Sequence, residues 1–94
     1  MTYASALELA NAIAAFLKEK HGATKVLLIG SRAKGTAAPD SDIDIYFEGL
    51  SRKEALRAVG QCIYNFGEKG IDYLPDCFCE AHFRKRALAH GKPL

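Results

Sequence analysis

An α/β (α+β) fold is what this sequence predicts, and three observations predict it. Serine-capped helical patterns open the chain and recur beyond its middle. Between them lie two runs of β character, Lys25-Val-Leu-Leu-Ile29 and the alternating Asp42-Ile-Asp-Ile-Tyr-Phe47. A glycine-bearing stretch joins those runs, reading Gly-Ser-Arg-Ala-Lys-Gly-Thr-Ala-Ala-Pro-Asp-Ser-Asp-Ile-Asp from Gly30 to Asp44.

The bulk properties bound the answer. A chain of 94 residues, 49% of them hydrophobic, reads as one soluble domain over residues 1–94. At that size it buries roughly 60 to 70% of its extended-chain surface, enough to support a core. The net charge of +2 gives no reason to expect direct nucleic-acid binding through a general positive field. No segment is apolar enough to cross a membrane, and the opening Met-Thr-Tyr-Ala-Ser lacks the basic and apolar regions of a signal peptide, so a cytoplasmic location is expected. Cys62, Cys77 and Cys79 are then expected to be free, buried thiols.

Taken in order, Ser5 and Glu8 have capping-box spacing, and Leu9, Ala10, Ile13, Ala14 and Leu17 follow at helical period. The helix is expected to end near His21, with Lys18, Lys20 and His21 suiting its negative end and Gly22 free to adopt the left-handed exit. After the first strand, Gly30 allows a sharp turn, and Ser31 offers a hydroxyl and a free amide at the start of a short helix where a phosphate could dock. Arg32 and Lys34 are nearby cations. An ordinary strand-to-helix turn would also begin Gly-Ser-Arg. Gly30 and Gly35 have Walker spacing, but Thr36 stands where that loop needs lysine, and a dinucleotide fingerprint fails because position 32 is not glycine.

Downstream, Glu48-Gly49-Leu50 reads as a turn, and Ser51 with Glu54 starts another helix with Leu56, Val59, Ile63 and Phe66 as its apolar stripe. Gly60 within that stripe suggests close packing on the sheet. Ile71-Asp72-Tyr73-Leu74 reads as a short strand stopped by Pro75, with Asp72 either facing solvent on an edge or placed there for a purpose. A last helix from Glu80 to His90 is expected to turn Phe83, Ala87 and Leu88 inward and Arg84, Lys85 and Arg86 outward. Cys77, Cys79 and His82 do not have the spacing of a zinc knuckle.

The acids carry the chemistry. Side chains at i and i+2 of a strand share a face about 6 to 7 Å apart, so Asp42 and Asp44 point one way and Ile43 and Ile45 the other. Two carboxylates 4 Å apart repel by about 4 kcal/mol at an effective dielectric of 20 unless a cation lies between them. Magnesium resolves that conflict, taking one or two protein carboxylates plus substrate phosphates. Asp72 on a neighbouring strand would complete a site for two ions about 3.5 to 4 Å apart. The reaction such a site serves is in-line attack on an α-phosphorus with pyrophosphate leaving.

Gly30-Ser31, ten residues, then Asp42-Ile43-Asp44 resembles the signature of the DNA polymerase β-like nucleotidyltransferases. In detail the chain is similar to their minimal nucleotidyltransferase (MNT) domains, the antitoxins that accompany HEPN-domain toxins. The match is specific at Gly-Ser-Arg-Ala-Lys-Gly and Ser-Asp-Ile-Asp-Ile, and extends loosely from the leading helix to the closing Ala89-His90-Gly91-Lys92-Pro93. The resemblance implies a nucleotidyltransferase core with a small mixed sheet and about four helices. It also implies that Gly30, Ser31 and Arg32 hold the nucleotide, that Asp42, Asp44 and Asp72 are the catalytic, Mg2+-binding carboxylates, and that Asp76 competes with Asp72 for the third place. By the same resemblance the partner is a cognate HEPN ribonuclease toxin in a hetero-oligomer, which receives AMP from ATP on a tyrosine and is thereby neutralised. Two other functions stay open: a non-catalytic module that masks its partner, and a small-molecule or RNA nucleotidyltransferase whose acceptor domain lies on another chain.

Overall fold

The structure, a computed structural model, describes residues 3–35 and 42–94. Met1, Thr2 and residues 36–41, including the Thr36 and Ser41 of the motif stretch, lie outside the described residues.

Helix α1 (Ala6–His21) begins as its cap predicts, with Ser5 Oγ accepting from the Glu8 amide at 3.1 Å. Gly22 ends it at φ 79°, donating to the carbonyls of Leu17 and Lys18. Strand β1 (Lys25–Ile29), the single-turn helix α2 (Ser31–Lys34) and strand β2 (Ile43–Glu48) follow. Helix α3 (Arg52–Phe66) is again capped by serine, Ser51 Oγ accepting from the Glu54 amide at 3.2 Å. Strand β3 (Ile71–Pro75) runs into a 3-10 turn, Asp76–Phe78, and helix α4 (Ala81–His90) leads to the short strand β4 (Lys92–Pro93). The last strand is absent from the sequence expectation.

The sheet has the order β3-β2-β1-β4, so β2 lies inside it and β3 on an edge. β1 is antiparallel to both β2 and β4, whereas β2 and β3 are parallel and joined through α3. This is a mixed sheet with helices on both faces, which agrees with the α+β expectation.

Alternation along the strands divides the core in two. Val26, Leu28, Ile43, Ile45, Phe47 and Ile71 meet Ile13 and Leu17 of α1 and Ala58 and Cys62 of α3. Ile13, Leu17, Ile45 and Phe47 are fully buried, each stabilising the fold by roughly 1.5–3 kcal/mol relative to exposure. The opposite parity, Leu27, Ile29 and Tyr46, meets Ala87 and Phe83 of α4. The face that carries the even-numbered aspartates of β2 and β3 is therefore the one α4 covers.

Three expectations about helix faces need correction. On α3 the buried residues are Ala55, Ala58 and Cys62; of the expected stripe, Val59 and Phe66 pack half-buried against the core as read, while Leu56 is 64% exposed and Ile63 lies at the surface. Small side chains let the helix approach the sheet closely, and the larger ones are carried to its flank. Gly60 is exposed, and a Cβ there would meet nothing within 4 Å, so it is not a close-packing glycine. On α4, Ala87 is buried and Phe83 half-buried, but Leu88 points outward. Of the cysteines, all free, only Cys62 is buried; burial raises its thiol to about 12, which keeps it protonated.

One hydrogen-bonded pair ties the two helices of the first face together. His21 Nδ1 donates to Glu54 Oε2 at 2.8 Å, and His21 Nε2 lies 2.9 Å from Gln61 Oε1. The hydrogen bond from His21 holds the Glu54 carboxyl below its ordinary value of 4.5. A lowered carboxylate contributes stability above the unfolded-state value and loses it as the pH falls through the folded one. Glu54→Gln is thus expected to lower the melting temperature at pH 7, with the gap to wild type closing on acidification below 4.5; thermal melts of both proteins from pH 7 to 3 check this.

Candidate functional site

The register of the sheet assembles the site. Asp44 on β2 stands opposite Ile29 of β1 on one side and opposite Asp72 of β3 on the other. Ile29 is followed at once by Gly30, so the glycine turn sits beside Asp44. Gly30 has φ 77° and ψ −155°, and a Cβ on it would lie 2.5 Å from Asp44 Oδ2. Only glycine leaves room for that carboxylate.

The Asp44 and Asp72 side chains are neighbours across this register and interact with each other. Burial, then the side chain and charge of Asp72, then the charge of Asp42, raise Asp44 from 3.8 to about 6. Asp42 precedes β2, is exposed, and enters this arrangement through its charge and not through contact. Among the described residues no three His, Cys, Asp or Glu side chains are gathered closely enough to hold a metal together. Asp76 falls beyond Pro75, which pairs with Phe47, and thus lies at the opposite end of the strands from Asp44.

The chemistry of the donor set fits a hard divalent cation. Two carboxylates held side by side repel unless positive charge lies beside them, and magnesium accepts one or two carboxylates with water and phosphate oxygens completing its octahedron. Asp44 and Asp72 supply the pair. A two-ion arrangement needs more than this pair, and Asp42 is the nearby acid able to join it.

The pair opens into a cavity of about 410 Å3. Ligand sites of small molecules typically enclose about 300–1,000 Å3. Its walls differ in chemistry. Asp44 and Asp72 make one side acidic, Ile29, Leu74, Phe83 and Ala87 make a wall apolar, and Lys34, Arg86 and His90 bring nitrogen cations or donors. Gly30 lines it, whereas Ser31 and Arg32, half-buried on α2, do not. The structure therefore brings Gly30, Asp44 and Asp72 together on one cavity and leaves Asp42, Ser31 and Arg32 beside it.

Sequence reasoning missed the α4 side of this cavity. Phe83, Arg86, Ala87 and His90 fall at i, i+3, i+4 and i+7, a single helical stripe. That spacing was available in the sequence, but grouping Arg84, Lys85 and Arg86 as one outward run concealed that Arg86 belongs to the stripe and its two neighbours do not.

The family model of the nucleotidyltransferase domain matches residues 10–86. Among solved structures, the chain resembles a toxin-antitoxin crystallised with AMP-PNP, at TM-score 0.64 and 17% identity over 87% of this chain and 69% of that one. It also resembles a mutant of the toxin-antitoxin MntA-HpeT, at TM-score 0.66 and 17% identity over 89% of this chain and 70% of that one. At such identity the likeness is one of fold. No curated protein sequence matches the chain.

Proposed function

The chain belongs to the nucleotidyltransferase domain family, and from that premise we propose that it is an antitoxin that transfers AMP from ATP to a tyrosine hydroxyl of a cognate HEPN ribonuclease toxin. The observation that carries the reading is the facing pair Asp44–Asp72 lining a cavity whose other lining residues are apolar and cationic. A nucleoside triphosphate has the matching chemistry: an apolar base, an anionic tail and a reacting phosphorus that needs a divalent cation. Both structural neighbours are toxin-antitoxin complexes, one of them with an ATP analogue, and this supports the partner class and the nucleotide. The tyrosine acceptor and the HEPN identity rest on the resemblance of the motif.

In this reading residues 1–94 act as one minimal nucleotidyltransferase domain in the cytoplasm, in a hetero-oligomer with the toxin. Gly30 lets the backbone approach the phosphates, and Ser31 and Arg32 hold them from α2. Asp42 and Asp44, with Asp72 as a further ligand, would hold magnesium, which when bound would supply charge neutralisation at the reacting phosphate and lower the pKa of the acceptor hydroxyl. The tyrosine oxygen attacks the α-phosphorus, forming a new P–O bond. The bond from that phosphorus to the bridging oxygen breaks, and pyrophosphate leaves with the electron pair. The hydroxyl proton passes to Asp72 where that carboxylate is not itself a ligand.

The test is a transfer assay with the purified chain, magnesium and the product of the neighbouring gene. Label from α-labelled ATP is expected on the partner, none from γ-labelled ATP, and none with Asp42→Asn, Asp44→Asn. A complex that forms but never acquires label points to masking.

A further inference from the structure

Lys34 on α2 and Arg86 on α4 come from different elements yet line the same cavity. Among the described residues neither is in an ion pair, since those found join His21 and Arg57 to Glu54 and His82 to Glu80. Two cations lining one space repel each other unless an anion lies between them, as the two carboxylates of the same cavity do without a cation. The rotation of α4 that aims Arg86 there is fixed by packing: Ala87, 5% exposed, and half-buried Phe83 seat the helix on Leu27, Ile29 and Tyr46. Arg86 follows from that seating, because it is one residue from Ala87 and three from Phe83 on the same stripe.

On the reading of this cavity as the nucleotide site, we propose that α4 is one of its walls and that Arg86, with Lys34, holds the β- and γ-phosphates of the bound triphosphate. The reacting α-phosphate belongs at the acidic side, where Asp44 and Asp72 would hold a divalent cation. Beside Ser31 and Arg32, Lys34 and Arg86 then meet the remaining charge of the tail. Arginine suits this task because its planar fork offers paired N–H donors to phosphate oxygens. After transfer the same contacts hold pyrophosphate, so Arg86 binds the leaving group as its charge develops.

The test uses the full chain without partner and reads binding of AMP-PNP and of AMP, with magnesium, by calorimetry. Arg86→Gln is expected to weaken AMP-PNP about 10- to 100-fold while changing AMP less than about twofold, because AMP lacks the phosphates concerned. Arg86→Lys should fall between. Arg84→Gln, which removes the same charge from an exposed residue outside the cavity, should bind as wild type does. Circular dichroism of each variant confirms the fold. AMP-PNP binding unchanged by Arg86→Gln in a protein that binds it normally overturns this inference and leaves the function standing, as does an equal loss for AMP. Failure of the wild type to bind AMP-PNP at all overturns both.

Discussion

Asp44→Asn is expected to abolish nucleotidyl transfer, by about 10^3-fold or more, while making the metal-free protein more stable. The first effect follows from removing one of the two facing carboxylates, which takes away several kcal/mol of charge stabilisation at the reacting phosphate. The second follows from the same geometry. A carboxyl raised from 3.8 to about 6 disfavours its charged form in the fold. The penalty is absent below 3.8, grows as the pH rises toward 6 and is complete above it, so wild type carries it at pH 7 and the asparagine variant does not. Solvent screening at this half-exposed site reduces it to about 1 kcal/mol, which corresponds to a melting temperature higher by about 4–8 °C in a domain of this size. Magnesium should reverse the order, because it stabilises the protein that binds it by mass action and the variant binds it poorly. Thermal melts at pH 7 with and without magnesium, beside a transfer assay, check both. A variant that transfers like wild type, or melts lower without metal, contradicts the assignment.

Gly30→Ala is the second large effect. At φ 77° and ψ −155° the backbone is in a region that essentially only glycine enters, costing an alanine about 1–3 kcal/mol. The added Cβ also falls 2.5 Å from Asp44 Oδ2, so the carboxylate must move. Displacement of a catalytic group by about 1 Å is enough to cost about 100-fold in rate. Gly22→Ala separates the two causes. Gly22 has φ 79° and nothing within 4 Å of a Cβ, so it should lose about 1 kcal/mol of stability and no transfer activity. Similar activity losses in both variants, measured at a temperature where each is folded, would show that the contact with Asp44 is unimportant.

How far the sequence carried the fold depended on where the information resides. Ser5 and Ser51 encode helix starts through contacts three residues away, and both caps form as read. The alternation of Asp42-Ile-Asp-Ile located one strand and its inward residues, Ile43 and Ile45. The α3 face was legible from hydrophobicity only in Val59 and Phe66, because Ala55 and Ala58 are buried for their small size while Leu56 is not. Strand β4 was not legible either: Lys92 and Pro93 have no β propensity, and the pairing with β1 exists because α4 delivers them to that edge. For the site, local pattern gave Gly30 and Asp44, but the meeting of Asp44 with Asp72 depends on a parallel register set by the α3 crossover. The cavity needs α4 as well, and the place of that helix is decided by tertiary packing on Leu27, Ile29 and Tyr46.

The central claim is that neutralisation is chemical and runs through the aspartates. The most direct measurement is the ribonuclease activity of the partner after incubation with this chain, ATP and magnesium, followed by separation of the two proteins. Wild type should leave the isolated partner inactive and heavier by an adenylyl group, whereas Asp42→Asn, Asp44→Asn should release it active and unmodified. A partner that regains full activity on separation from wild type would contradict the account.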